Sequence, residues 1–245
     1  MRLVAWISVG AVLFWIAPAL AQGTSGTFLL NGIDSARGAY TGTLDIGFLD
    51  GAAMVEWLIQ DEPSRPGYGL QLGNVVGAVA IETGRGQGVA LYRIEAGRLE
   101  GILNPVDTHL NAASHEVLSG SGDVAGRYLL SGTNRDGSTY SGIVDIRPTG
   151  QTFEVDWTLT GLRFVVRGVR IGDTLVVAYA GDYRPQVWAY CTNAPGLAGL
   201  TAEGSATVVV PEVIIPLEAD FPGPDWVAAR LQALAVDPKI DCPLP

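Results

Sequence analysis

The sequence predicts an all-β protein: two tandem antiparallel β-barrel-like repeats followed by a short C-terminal helix. Three observations predict it. The chain repeats itself without a gap over its best-matched stretch, its apolar residues alternate with a period of two, and glycine is frequent, at 32 of 245 residues, while helix-forming runs are scarce.

The first element is an export signal. Arg2 supplies a positive charge, Leu3 to Ile16 is almost wholly apolar, and Ala19-Leu20-Ala21 offers the small residues a signal peptidase requires. Residues 1–21 are read as a signal peptide cleaved before Gln22. The alternative is a retained anchor, for which the apolar run is short and interrupted by Pro18.

The repeat follows. Gly26, Leu29, Leu30, Gly32, Tyr40, Gly42, Asp45, Ile46, Val55 and Trp57 recur as Gly126, Leu129, Leu130, Gly132, Tyr140, Gly142, Asp145, Ile146, Val155 and Trp157. After small deletions the match resumes at Gly69/Gly168 and Gly73/Gly172, then at Val89/Val187, Tyr92/Tyr190, Leu99/Leu197 and Gly101/Gly199. The domains expected are β repeat 1 over 22–121, β repeat 2 over 122–215 and a tail over 216–245. Strands in the first copy are expected near 26–32, 39–47, 53–60, 66–73, 75–81, 88–94, 97–103 and 115–119. In the second copy Val144 and Ile146 share a face with Tyr140, and Phe153, Val155 and Trp157 alternate with Glu154, Asp156 and Thr158. The turn Pro148-Thr149-Gly150-Gln151 joins these two strands. Pairing Pro148 with Gln151 places Val144 opposite Val155 and Gly142 opposite Trp157, so that the glycine leaves room for the indole. Met54 and Leu58 fall on the outward face of copy one.

Eight short strands per copy suit an up-and-down barrel of the avidin or lipocalin kind, whose interior is filled by side chains or holds one small ligand. The expected arrangement is two barrels in series joined around Ser119–Val124; the alternative is a sandwich in which the copies share strands. Beyond Pro216 the repeat ends. Asp225 is expected to cap a short helix that Pro238 closes, with Val227, Leu231 and Leu234 forming one apolar stripe.

Composition limits the partners. With 15 Lys and Arg against 25 Asp and Glu, the formal net charge is −10. Nucleic-acid affinity rests on Lys and Arg displacing counterions, so a nucleic-acid partner is not expected. No segment after the signal is apolar and long enough to span a membrane. The two cysteines, Cys191 and Cys242, match no CxxC pattern, and in an exported protein they are expected to form a disulfide rather than two buried thiols. Holding the tail to Cys191 would pack its stripe on the second barrel. The location expected is periplasmic or secreted.

The unit Gly-x-Tyr/Phe-Leu-x-Gly, then Tyr-x-Gly-x-Val/Leu-Asp-Ile, Val-x-Trp and Gly-x-x-x-Gly resembles that of exported, largely uncharacterised proteobacterial proteins carrying a Gly/Tyr-rich β repeat, some of them labelled fibronectin-binding. Gly126 to Gly132 and Tyr140 to Ile146 fit it best. The resemblance implies an exported β protein and supplies no catalytic residues.

Chemistry-bearing constellations are few. Asp107, His109, His115 and Glu116 fall in one segment, but copy two has no histidine, and loop histidines are the expected reading rather than a metal site. Ser114-His115-Glu116 contains triad residue types that alternate across a strand, and no Gly-x-Ser-x-Gly elbow occurs. Gly84 to Gly88 is glycine-rich but reads as a turn, not a phosphate cradle. Asp45 with Glu56, and Asp145 with Asp156, are expected to lie diagonally on outer faces as solvating charges rather than as a calcium site. The remaining repeated set is aromatic: Tyr40, Trp57 and Tyr92 in copy one, Tyr140, Trp157 and Tyr190 in copy two. These rings are either core or the lining of a pocket at each barrel mouth. The expectation is a non-enzymatic exported binding module with no cofactor, recognising a small molecule or an envelope or extracellular protein. The alternative is a structural or adhesin-like protein-interaction module.

Overall fold

The computed structural model describes residues 25–242 apart from 36–37, 50–51, 61, 82–86, 106–112, 181–184, 193–196, 204 and 239. The signal segment, Asp107, His109 and residues 84–86 of the glycine-rich run lie outside the described residues.

The described residues form sixteen strands and one helix. The first repeat supplies β1 (Gly26–Asp34), β2 (Gly38–Leu49), β3 (Ala52–Ile59), β4 (Arg65–Leu72), β5 (Val75–Ala80), β6 (Gln87–Glu95), β7 (Arg98–Pro105) and β8 (Ser114–Gly120). The second supplies β9 (Gly126–Thr133), β10 (Thr139–Thr149), β11 (Thr152–Leu159), β12 (Leu162–Ile171), β13 (Thr174–Ala180), β14 (Val187–Cys191), β15 (Leu197–Ala202) and β16 (Val210–Pro216), and α1 (Pro224–Val236) follows. The strands close into two eight-stranded antiparallel barrels.

The path of the chain does not follow the repeats. Barrel 2 consists of the consecutive strands β6 to β13 and closes by pairing β6 with β13, as in Tyr92 opposite Leu175. Barrel 1 consists of β1 to β5 completed by β14 to β16, with β5 paired to β14 and β1 to β16. One barrel is thus inserted into the other, and each takes five strands from one copy and three from its neighbour. The segment Ser119–Val124, expected to link two barrels, is instead a turn within barrel 2, between the paired strands β8 and β9.

Three apolar clusters result. One fills barrel 1 around Leu30, Leu44, Val55 and Trp57, and a second fills barrel 2 around Leu99, Leu130, Val144 and Trp157. The third lies between the barrels and extends to the tail. Strands at the seam are therefore buried on both faces. In β5, Val76 and Ala78 point into barrel 1 while Val75 and Val79 point at the seam; in β13, Leu175 and Val177 point into barrel 2 while Val176 and Ala178 point at the seam. Gly77 sets how close the walls come: a Cβ there would lie 2.4 Å from Val176 Cγ1 and 2.8 Å from Leu91 Cδ1. Asn104 of barrel 2 donates a buried hydrogen bond to the Tyr68 hydroxyl of barrel 1 across the same seam.

The β10–β11 hairpin differs from the expected register by two residues. Thr149 pairs with Thr152, so the turn is Gly150-Gln151, with Gly150 at φ +77°. Val144 faces Trp157, and Gly142 faces Leu159. Because the shift is even, every side chain keeps its face. The turn is fixed from outside the hairpin: Gln151 N–H donates to Thr207 O, and Val209 N–H donates to Gln151 Oε1. The glycine that makes room for an indole is also a different one. A Cβ on Gly67 would lie 2.1 Å from the Trp57 ring.

The helix starts two residues earlier than expected, with Gly223 as N-cap, Pro224 at its first position and Asp225 inside the first turn. Val227, Leu231 and Leu234 form the buried stripe. It packs on β16 and β1 of barrel 1, not on the second barrel, because both the strand it follows and the cysteine it is tied to belong to barrel 1. Cys191 at the end of β14 is bonded to Cys242, with Cα atoms 5.7 Å apart. Beyond the helix the tail reaches barrel 2 as well: Gly172 N–H, in the β12–β13 turn, donates to Ile240 O at 2.9 Å. No helix among the described residues is long and apolar enough to cross a membrane. A disulfide of this kind is compatible with an oxidising periplasmic or extracellular location.

Candidate aromatic–carboxyl sites in the two barrels

The repeated rings converge, and each barrel brings them onto a glutamate. In barrel 1, β2 carries Tyr40, β3 Trp57, β14 Tyr190 and β16 Glu212. Tyr40 Oη donates to Glu212 Oε1 at 2.6 Å and Tyr190 Oη to Glu212 Oε2 at 2.7 Å. Trp57 Nε1 donates to Tyr190 Oη at 2.8 Å. Glu212, Tyr190 and Trp57 are buried and Tyr40 is half-buried. In barrel 2, β10 carries Tyr140, β11 Trp157, β6 Tyr92 and β8 Glu116. Tyr140 Oη donates to Glu116 Oε1 at 2.6 Å, and Tyr92 Oη donates to Glu116 Oε2.

Small residues make the convergence possible. Tyr40 lies across its partner Gly32 and Tyr140 across Gly132, where a Cβ would sit 2.1 and 2.2 Å from the rings. Glu212 is the other neighbour of Gly32, and Glu116 of Gly132, so each phenol reaches over a glycine to a carboxyl one strand away. Each cluster is assembled from both repeats, Tyr and Trp from one and Tyr and Glu from the other. The six rings proposed from sequence are thereby placed in two sets, Tyr40, Trp57 and Tyr190 in one and Tyr140, Trp157 and Tyr92 in the other, rather than one set per repeat.

Sequence reasoning missed the glutamates. Glu116 enters it only beside Asp107, His109 and His115 and as a member of Ser114-His115-Glu116, and Glu212 not at all. The signal was present: Glu116-Val117 recurs as Glu212-Val213 once one more small deletion is admitted.

Burial dominates the electrostatics. Desolvation raises the Glu212 carboxyl to about 7 although its two phenol donors oppose the shift. Glu116 is raised for the same reason, and Tyr92 and Tyr190 are held well above the usual phenol range by burial and then by the adjacent carboxyl.

The clusters differ around the tryptophan. Trp57 stacks on Trp188 with centroids 4.3 Å apart. Trp157 instead meets Tyr179 edge-on at 5.8 Å, with Tyr92 at 6.5 Å and Phe164 beyond Tyr179 at 6.2 Å. Trp157 Nε1 is buried and has no hydrogen-bond partner among the described residues, unlike its counterpart in barrel 1. Three clefts among the described residues, of about 550, 470 and 740 Å³, lie elsewhere and none is lined by these rings.

The other sequence candidates are accounted for by local pairing. Asp45 faces Glu56 and Asp145 faces Asp156 directly, not diagonally. Asp45 and Glu56 are exposed and accept from Thr27 and Ser64. Asp156, expected to be solvated, is buried beneath Arg163, which grips both of its oxygens at 2.9 and 2.7 Å and holds its carboxyl below the usual range. His115 is exposed and lies 3.1 Å from Glu100. No group of three or more His, Cys, Asp or Glu placed to hold a metal ion occurs among the described residues.

No family model, curated protein or solved structure matches the chain.

Proposed function

We propose that the protein is a non-enzymatic exported binding module, and that it recognises a small molecule at the aromatic end of a barrel. The observation that carries this reading is the buried Trp157 indole N–H, which has no partner among the described residues and is set among Tyr92, Tyr179 and Phe164. Buried donors are almost always satisfied, and one left open beside half-exposed rings fits a place where a ligand supplies the acceptor. The glutamates support a binding role over an acid–base one. Each of their oxygens already accepts from a phenol, leaving them as anchors for the rings.

A thermal-shift panel of neutral apolar compounds, sugars and divalent cations tests the reading, because a ligand that binds only the folded state raises its midpoint. An apolar compound is expected to raise it, and Trp157→Phe to diminish the rise. If every compound that shifts the wild-type midpoint shifts that variant equally, the site is elsewhere.

A structural or adhesin-like protein-interaction module is the second reading. It is favoured by the wall of barrel 1, where exposed Leu58 and Phe221 line the cleft of about 550 Å³.

A further inference from the structure

We infer that barrel 2 alone takes the ligand, and that this ligand is an uncharged apolar molecule, able to lie on aromatic rings, with a hydrogen-bond acceptor for the Trp157 N–H. The inference rests on the binding reading above and adds which barrel and which chemistry.

The two barrels are internal controls for each other. At the tryptophan end of barrel 1 a polar cap is closed: Arg65 Nη1 donates to Gln186 Oε1 at 3.1 Å, and Gln186 Nε2 donates to Thr201 Oγ1 at 2.9 Å. The Arg65 guanidinium lies 5.9 Å from the centre of the Trp188 ring, which in turn covers Trp57. The strand registers give the equivalent positions in barrel 2. Trp57 pairs with Arg65 as Trp157 pairs with Phe164, and Trp188 pairs with Thr201 as Ala90 pairs with Leu103. Gln186, next to Val187, corresponds to Gly88, next to Val89. Arg65, Gln186, Thr201 and Trp188 are therefore replaced by Phe164, Gly88, Leu103 and Ala90. Every polar member of the cap has become apolar or has lost its side chain.

Among the described residues, those that stand at that end of barrel 2 in place of the cap are Leu103, Phe164 and Tyr179, all half-exposed. The Tyr179 ring rests across Gly88, where a Cβ would sit 2.2 Å from it. The ring packs edge-on against Trp157, so a ligand that takes the indole N–H must displace it. Among the described residues a cation would find no free acid there, since Tyr92 and Tyr140 occupy both Glu116 oxygens. An anion would find Phe164 in place of the arginine of barrel 1. Among the described residues neither charge is matched, whereas a mainly apolar surface carrying the Trp157 N–H and the Tyr179 hydroxyl is. In barrel 1 the equivalent N–H is already taken by Tyr190.

Titration with Prodan, a neutral naphthyl ketone whose emission reports polarity and hydrogen bonding, tests this. The expected result is saturable binding with blue-shifted emission and energy transfer from tryptophan. Phe164→Arg, which restores the cationic cap, is expected to weaken it roughly tenfold or more, and the milder Leu103→Thr to weaken it by a smaller factor. Trp157→Phe is expected to weaken Prodan about tenfold yet leave binding of the parent dimethylaminonaphthalene, which lacks the ketone, unchanged. Trp57→Phe in barrel 1 is expected to change neither. Each variant is checked for a native circular-dichroism spectrum. Prodan binding that follows the barrel 1 variant, or ignores all four, overturns the assignment to barrel 2 while leaving the binding reading in place. Equal loss of both probes in Trp157→Phe overturns the acceptor requirement, as it would if a bound water already satisfied the indole. Failure of both probes to bind the wild-type protein overturns the ligand class, and the binding reading then stands or falls with the broader panel of sugars and cations.

Discussion

Glu212 shows how a single buried group shapes the whole stability profile. Its carboxyl is lifted from 4.5 to about 7 by burial, so the folded state holds a proton that the unfolded chain releases. The sign follows directly. The protonated barrel has its full stability below about pH 4.5 and loses this contribution as pH rises through about 7, a difference on the order of 3 kcal/mol. Glu116 shifts in the same direction and adds to the trend. Urea unfolding is therefore expected to give a higher free energy at pH 5 than at pH 8, and Glu212→Gln, which mimics the protonated acid, is expected to flatten the difference. Equal or greater stability of the wild type at pH 8 would contradict the burial argument. The phenols have a complementary part. By donating to both carboxyl oxygens they keep either charge state bonded, so the barrel weakens with pH instead of breaking.

At the scale of elements, the seam strands behave unlike the rest. β1 to β3 and β9 to β11 have one solvated wall and alternate as period two demands, while β5, β6, β13 and β14 are buried along nearly their whole length. The walls come close at Gly77, and Gly77→Ala is expected to destabilise the protein by about 1–3 kcal/mol through overpacking against Val176 and Leu91. Chemical denaturation measures it, and an unchanged midpoint would show that the walls have slack. These strands also explain which parts of the fold were legible. Strand positions, the Cys191–Cys242 pair and the helix stripe could be read because alternation, spacing and breaker residues are local. The exchange of β6 to β8 for β14 to β16 could not, since a repeat pairs as well with its neighbour as with itself. β5 carries no local mark that its partner is β14 and not β6. The hairpin register slipped for a related reason: the Gly150-Gln151 turn is held by residues 207–209, far along the chain. The glutamates escaped because the third deletion in the repeat falls just before them.

At the scale of the molecule, the tail is a clasp across the junction. It is bonded to β14 of barrel 1 through Cys191, and Ile240 accepts from the Gly172 turn of barrel 2. Closing a loop with a sequence separation of 51 stabilises by about 4 kcal/mol in the chain-entropy picture. Reduction, or Cys242→Ser, is expected to lower the unfolding free energy by an amount of that order. Limited proteolysis should then clip first after about residue 217. Because the tail touches both barrels, hydrogen exchange is expected to rise at the Gly172 turn as well as along β14 and β16. Protection unchanged at Gly172 would confine the clasp to barrel 1.

Insertion of one barrel inside the other also dictates an order of assembly. As the chain emerges from its N-terminus, β1 to β5 appear first but cannot close, because Phe28 of β1 awaits Pro216 of β16 and the edge of β5 awaits β14. Barrel 2 meets no such delay, since all eight of its strands arrive consecutively. Its closure draws the end of β5 and the start of β14 together, shrinking the loop that barrel 1 must close from a whole domain to a short span. The early half therefore waits with open strand edges, the state most exposed to mispairing, and the late half relieves it. In refolding experiments the fluorescence of Trp157 is expected to reach its native value before that of Trp57 and Trp188, and a kinetic trap is expected whenever β14 to β16 are withheld.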